Sequence, residues 1–287
     1  MRKAILSIIC AASICSAIEL KDVKLVAHQG EFLLEPPDTP MSVKKAYELG
    51  SKIVEFDVFD TDENQMVCFH GPNELKWHWG INKPPRKLTR EDVKNSRYAH
   101  KAFKQRYPNQ TIPTLEEILA VVPKDGMILL DSRPQDPKRF AKLFDSALLK
   151  AGLKRSQIIP TLSSLNELRE ISPEYTGAIL FHCFNPKAQK NISAEELIAV
   201  AKRHKNAVHI KYIGVGQAGW GTDLFLKLVN DKDFFKKIKA AGFIPCAWTT
   251  DEPELVKILV KEYGVEFILT NRASWMRQQL GIPKDRK

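Results

Sequence analysis

Short apolar runs alternate with segments of helical periodicity along most of the chain. Residues 127–130, just before Asp131, and residues 243–248 are continuously apolar, the pattern of strands buried on both faces of a parallel sheet. Amphipathic segments follow such runs; residues 136–151, for example, carry apolar side chains at helical spacing and end at Gly152. This alternation predicts an α/β fold in which helices cover a sheet of parallel strands.

The alternation repeats often enough to suggest a closed sheet. The predicted strands are 24–28, 53–59, 127–131, 157–162, 178–182, 207–213, 243–248 and 265–270. Eight strand–helix units in roughly 260 residues predict a (β/α)8 TIM barrel, formed by a single domain over residues 18–287. A doubly wound open sheet is the alternative, although no glycine-rich fingerprint follows the first strand.

The second unit is longer than the others. After the strand at 53–59, the chain turns at 62–65 and returns as a hairpin. Residues 72–111 are polar and rich in Pro, Trp and Lys, so we expect an irregular insertion there. A capping box, Thr114-Leu115-Glu116-Glu117, then predicts the start of a helix that continues to Val122.

The first 17 residues differ in composition from the rest of the chain. Arg2 and Lys3 precede an apolar stretch that ends in the small residues Ser16 and Ala17. This order is typical of a secretory signal peptide, and the stretch is too short for a comfortable membrane span. We therefore expect residues 1–17 to be removed and the protein to be secreted or periplasmic. An uncleaved anchor is the alternative.

The net charge of the chain indicates which classes of binding partner to expect. The chain carries a formal charge of +10, and loss of residues 1–17 removes Arg2 and Lys3 and no acid, which leaves +8. Such a charge favours anionic substrates or anionic lipid surfaces, so transient contact with a membrane surface is one expectation. The lysines are scattered and no nucleic-acid-binding motif is present, so nucleic acid is not expected as a partner.

Cysteine spacing argues against a disulfide framework. Beyond the signal segment the cysteines are Cys68, Cys183 and Cys246, an odd number, and each lies in an apolar run. Such residues are typically buried free thiols.

Two acids on the second predicted strand are the first candidates for chemistry. Glu55 and Asp57 are two residues apart, which places both carboxylates on the same face of a strand. Adjacent carboxylates repel each other, and a divalent cation with oxygen ligands would compensate. A solvated strand edge is the less specific interpretation. The hairpin returns His70 to the same region.

Further polar side chains stand where predicted strands end. These residues are His28, Asp131, Arg133, His182, His209, Lys211, Trp248 and Thr249. In a barrel of parallel strands the carboxyl ends meet at one rim, which is where barrel enzymes place their active sites. We therefore expect these side chains to converge with Glu55, Asp57 and His70.

The motifs at these positions resemble those of the glycerophosphodiester phosphodiesterase family. They are Ala27-His28-Gln29-Gly30, Glu55-x-Asp57, His70-Gly71-Pro72, Ile112-Pro113-Thr114-Leu115-Glu116-Glu117, Asp131-x-Arg133, Ala247-Trp248-Thr249 and Ile268-Leu269-Thr270-Asn271. The resemblance runs from about residue 24 to 280 and implies a metal-dependent phosphodiesterase. The implied acid–base pair is His28 and His70. The implied ligands of a divalent metal, Mg²⁺ or Ca²⁺, are Glu55, Asp57 and Asp131. The candidates for substrate binding are Gln29, Arg133, Lys211 and Trp248.

Several positions depart from the family pattern. Gln29 stands where the family usually has Arg, and Gly71 where it usually has Asp. The His-Gly and Asp-x-basic motifs are also similar to those of sphingomyelinase D-type phospholipases. Three functions therefore stay open: a secreted phosphodiesterase acting on glycerophosphodiesters or related phospholipids, a phospholipase D-like enzyme that forms a cyclic phosphate, and a catalytically impaired barrel that binds phosphate or phospholipid.

Overall fold

A computed structural model describes residues 18–132, 134, 136–162, 178–181, 193–203, 212–216 and 233–284. Its strands are β1 (Lys24–Ala27), β2 (Ile53–Asp60), β3 (Met66–Cys68), β4 (Met127–Ser132), β5 (Ile158–Leu162), β6 (Ala178–Phe181), β7 (Tyr212–Gly216), β8 (Ile244–Trp248) and β9 (Phe267–Thr270). Its α-helices are α1 (Pro40–Glu48), α2 (Pro72–Trp79), α3 (Arg90–Asn95), α4 (Leu115–Leu119), α5 (Pro137–Ala151), α6 (Ala194–Arg203), α7 (Phe234–Ala240), α8 (Pro253–Lys261) and α9 (Ala273–Leu280). None of these helices is long and apolar enough to cross a membrane.

Eight of the described strands pair in parallel and close into a ring. The hydrogen-bonded order is β1, β9, β8, β7, β6, β5, β4 and β2, and β1 also pairs with β2. The predicted α/β fold with parallel strands is therefore confirmed. The open-sheet alternative is wrong, because an open sheet would leave two unpaired edges. That residues 18–287 form a single domain stays a prediction.

The predicted hairpin is confirmed, and it lies outside the ring. β3 pairs antiparallel with the second half of β2, with Val58 opposite Cys68. This pairing carries the chain back toward the carboxyl ends of the barrel strands. Cys68 is buried and free, as is Cys246.

The expectation of an irregular insertion at 72–111 is wrong. The segment contains α2 and α3 and has its own apolar cluster, which includes Leu75, Trp79 and Tyr98. A Thr89–Asp92 capping box starts α3. The polar composition masked these helices because both are short and bury only one side.

Helix ends agree with the capping signals more closely than with the apolar pattern. Thr114 and Glu117 form the predicted capping box of α4, but this helix ends at Leu119 rather than Val122. The side chain of Asp136 caps α5, and Gly152 ends it in a left-handed conformation.

The core has two layers. Apolar residues inside the ring, among them Leu129, Trp248 and Phe267, form one cluster. Larger clusters lie between the ring and the helices, where Phe56 and Phe140 are fully buried. The closed ring fixes the positions of the strand ends, and therefore of the loops that follow them at its carboxyl edge. Predictions for residues 1–17, Arg133, His182, Cys183, His209 and Lys211 lie outside the described residues.

Candidate active site

Three carboxylates meet at the carboxyl end of two neighbouring strands. Asp57 on β2 lies opposite Asp131 on β4 in the parallel register, and Glu55 precedes Asp57 on the same face. One carboxylate oxygen from each residue lies within 4.8 Å of the others. Glu55 and Asp57 are both only 3% exposed, so the interpretation as a solvated strand edge is wrong.

Burial and mutual repulsion disfavour the ionised forms of the acids in this cluster. Loss of solvation raises the pKa of Glu55 well above its usual range, and the charges of Asp57 and Asp131 raise it further. Three anionic oxygen donors at this spacing suit a hard divalent cation such as Mg²⁺ or Ca²⁺. The donor set therefore fits the metal that the sequence predicts.

Gln29 holds two of these carboxylates in place. Its backbone N–H donates to Glu55 Oε2 at 2.8 Å, and its side-chain Nε2 donates to Asp57 Oδ2 at 3.2 Å. The residue has a φ of 53°, in the left-handed region, which turns its amide toward the acids. Gln29 thus contacts the acidic cluster directly, and its contact with a substrate stays a prediction.

The tight turn around Gln29 depends on the next residue. Gly30 has a φ of 77°, and a Cβ there would lie 2.5 Å from the carbonyl carbon of Ser42 in α1. Ser42 has little freedom to move, because its hydroxyl belongs to the capping box with Thr39. A glycine is therefore required where the loop passes under the helix.

Asp38 is a further buried acid beside this cluster, and no role was predicted for it from the sequence. Its Oδ1 accepts a hydrogen bond from the backbone N–H of Asp57 at 3.0 Å, and only 1% of the residue is exposed. Burial and the Asp57 charge raise the pKa of Asp38 well above its usual range. The sequence did hold a signal for Asp38: it follows two prolines and precedes the N-cap residue of α1, in Pro36-Pro37-Asp38-Thr39.

His28 is oriented by a relay from the opposite end of the chain. Its Nδ1 lies 2.7 Å from Asn271 Oδ1, while the Asn271 side-chain amide donates to Asp251 Oδ2 at 2.8 Å. Asp251 therefore decides which end of the Asn271 amide faces His28. His28 then carries its proton on Nδ1, and Nε2 presents a lone pair 3.8 Å from Glu55 Oε2.

The surroundings of His28 shift its equilibrium toward the neutral form. Burial lowers its pKa, and the nearby charge of His70 acts in the same direction; the hydrogen bond to Asn271 opposes both. Asn271 belongs to one of the family-like motifs but had no predicted role, and Asp251 was not predicted. Both follow strand ends, β9 and β8, which is the signal that applied to His28 itself.

His70 lies exposed at the mouth of the site, directly after β3. Its backbone N–H donates to Glu74 Oε2, and Glu74 Oε1 is 3.0 Å from Nδ1 of His78. Glu74, at the start of α2, thus ties the His70 turn to the insertion. No role was predicted for Glu74, because the sequence predicted an irregular segment at 72–111 rather than a helix.

The substrate-binding candidates are less well defined. Trp248 ends β8 and is 6% exposed, packed in the apolar cluster inside the ring. Arg133 and Lys211 lie outside the described residues. The substrate contacts of all three stay predictions.

Solved structures with the same fold come from several bacteria. A glycerophosphodiester phosphodiesterase from Thermotoga maritima is 18% identical with a TM-score of 0.64, over 90% of this chain and 98% of that chain. A putative glycerophosphoryl diester phosphodiesterase from Agrobacterium tumefaciens is 19% identical with a TM-score of 0.69, over 90% and 97%. A phosphodiesterase from Oleispira antarctica, solved with the product sn-glycerol-3-phosphate, is 19% identical with a TM-score of 0.66, over 90% and 96%. At these identities the likeness establishes the fold alone.

Sequence comparison establishes the family as well as the fold. A glycerophosphodiester phosphodiesterase from Caldanaerobacter subterraneus subsp. tengcongensis is 22% identical over 249 residues, which cover 84% of this chain and 98% of the relative. The model of the glycerophosphoryl diester phosphodiesterase family matches residues 28–274, most of the chain, and the match includes both histidines and the three acids. The chain therefore belongs to the glycerophosphoryl diester phosphodiesterase family of phosphoric diester hydrolases.

Proposed function

We propose that this protein is a secreted, divalent-metal-dependent phosphodiesterase that cleaves glycerophosphodiesters, with His28 and His70 transferring the protons. The observation that carries the proposal is the cluster of Glu55, Asp57 and Asp131 beside Nε2 of His28. Family membership supports the substrate class, and the similar structure from Oleispira antarctica holds sn-glycerol-3-phosphate as a product.

Glu55, Asp57 and Asp131 would hold the metal. A divalent cation bound there would supply positive charge to a non-bridging phosphate oxygen, where negative charge grows during attack. Gln29 keeps the first two carboxylates oriented through its two hydrogen bonds. Arg133 and Lys211 would add cationic contacts to the phosphate, and Trp248 would line the site.

The two histidines would divide the proton transfers. The lone pair on His28 Nε2 takes a proton from the water that attacks the phosphorus, and the resulting positive charge is stabilised by the Nδ1–H bond to Asn271. His70 gives a proton to the leaving alkoxide oxygen. Its exposed position at the mouth suits contact with a departing group.

Attack by a neighbouring substrate hydroxyl is the second candidate, and it would give a cyclic phosphate. The observation that favours it is Gly71, which follows His70 as in the sphingomyelinase D-type phospholipases. Its φ of 145° lies in a region that L side chains rarely adopt, so the family's usual Asp would be strained there. Phosphorus NMR of the first product distinguishes a cyclic from an open phosphate.

Secretion rests on residues 1–17. Their basic, apolar and small-residue order supports cleavage near Ile18. N-terminal sequencing of protein recovered outside the cytoplasm should begin near Ile18. A sequence that begins at Met1 would contradict the signal peptide.

Replacing Asp57 by Asn should separate metal binding from stability. The variant removes one of three crowded negative charges, so we expect a higher free energy of unfolding than the wild type in chelator. It should bind Mg²⁺ weakly and lose about 10²–10³-fold in turnover, the scale of losing one charge-stabilising group. Calorimetry, denaturation and turnover with and without Mg²⁺ measure these effects.

The matched control is Asp62→Asn, an exposed acid of the hairpin paired with Lys87. It should leave metal affinity and turnover unchanged. Wild-type metal affinity in Asp57→Asn would place the metal elsewhere.

Replacing Asn271 by Leu should shift the pH dependence of the reaction. The hydrogen bond from His28 to Asn271 favours protonated His28, so its loss lowers the pKa of His28 further. A base is active when deprotonated, so the acidic limb of the kcat/KM profile should move to lower pH. The rate should also fall by about 10–100-fold, as for other groups that orient an imidazole. The exposed Asn95→Leu serves as control, and an unshifted profile in Asn271→Leu would contradict the relay.

Replacing each histidine by Ala should reveal its role. Each variant should lose about 10²–10⁴-fold in rate on a glycerophosphodiester. A nitrophenyl diester has a good leaving group that needs no proton, so it should restore activity to His70→Ala and leave His28→Ala inactive. His100→Ala is the control. Rescue of His28→Ala instead would reverse the assignment, and full activity of both variants would exclude the pair.

A further inference from the structure

Two neighbouring leucines are exposed beside the mouth of the site. Leu33 and Leu34 are 48% and 44% exposed. They lie at the apex of the loop between β1 and α1. Both ends of that loop contact the acidic cluster, through Gln29 at one end and Asp38 at the other. Isolated apolar side chains are common on protein surfaces, but an adjacent pair on a loop that frames a polar site requires a reason.

The loop is held in this position by contacts on both sides of the leucines. Before them, Glu31 Oε1 accepts hydrogen bonds from the backbone N–H and the hydroxyl of Ser274. After them, Arg106 donates to the carbonyl oxygen of Leu34 at 3.0 Å and to the Glu35 carboxylate at 3.0 and 3.1 Å. The loop is therefore held on both sides of the leucines, whose side chains remain exposed.

The segment that braces the loop is strongly basic. Residues 97–110 contain four Lys or Arg residues and no Asp or Glu. Lys101 and Lys104 are exposed, and neither forms an ion pair with a carboxylate in the described part of the chain. The two exposed lysines thus lie on the segment whose Arg106 contacts the loop of the two exposed leucines.

We propose that Leu33, Leu34, Lys101 and Lys104, the rim patch, dock this protein on an anionic phospholipid surface. The leucines insert at the boundary between headgroups and acyl chains, and the lysines bind the anionic headgroups. A nucleic acid or an acidic protein would satisfy the lysines and leave the leucines without a function. The docking goes beyond the proposed reaction, since it needs no turnover, and it turns the mouth of the site toward the lipid headgroups.

Sedimentation with lipid vesicles in the presence of chelator tests the docking apart from catalysis. The full mature chain should bind vesicles of equal parts phosphatidylcholine and phosphatidylglycerol more tightly than vesicles of phosphatidylcholine alone. Lys101→Glu with Lys104→Glu should weaken this binding by about 30-fold or more, because each basic residue near an anionic surface contributes roughly fivefold. Leu33→Ser with Leu34→Ser should weaken it by on the order of tenfold.

Controls with the same chemical changes are available on α5. Leu149 is 81% exposed, and Lys150 is also exposed. Both lie at the carboxyl end of α5, and this end of the helix is at the edge of the barrel opposite the site. Leu149→Ser and Lys150→Glu should bind vesicles as the wild type does. All of these variants should keep wild-type turnover of a soluble glycerophosphodiester, which shows that they fold. The proposal is overturned if the wild type does not prefer anionic vesicles, or if the rim-patch variants bind as tightly as the α5 controls.

Discussion

Repulsion between closely spaced carboxylates of like charge is the constraint on which the site depends. Two unit charges about 4–5 Å apart repel each other by roughly 3–4 kcal/mol at an effective dielectric constant of 20. Glu55, Asp57 and Asp131 are nevertheless held within 4.8 Å by the strands that carry them. The parallel register of β2 and β4 sets this spacing, and the closed ring prevents the strands from sliding apart. The barrel therefore maintains an arrangement that is unfavourable while all three acids are ionised, and a bound cation would offset the repulsion.

The roles of the residues around the cluster can be understood from the same repulsion between the acids. Gln29 donates two hydrogen bonds to the acids, and these neutral donors orient the carboxylates without cancelling their charge. Asp38 adds a further acid and positions the backbone of Asp57. Loss of solvation lowers the pKa of His28, which lies next to this negative region, and Asn271 directs its lone pair toward the cluster. Ring closure makes that contact possible, since Ala27 on the first strand is opposite Thr270 on the last.

Sequence reasoning predicted the features that local pattern encodes. Continuous apolar runs marked the barrel strands, because a strand covered on both faces has few polar positions. The two-residue spacing placed Glu55 and Asp57 on one face, and the capping box at Thr114 marked the start of α4. Asp38, Glu74 and Asp251 were missed because their roles come from partners distant in the chain or from a loop conformation. The helices of the insertion were missed because each buries few side chains, so polar composition outweighed their capping signals.

The most direct test of this account is anomalous diffraction from crystals soaked in Mn²⁺, which stands in for Mg²⁺, together with sn-glycerol 3-phosphate. The account predicts one strong metal peak bonded to carboxylate oxygens of Glu55, Asp57 and Asp131, with a phosphate oxygen on the metal and His28 Nε2 facing the phosphorus. A metal bound elsewhere, or an acidic cluster that remains without metal while the phosphate binds, would contradict it.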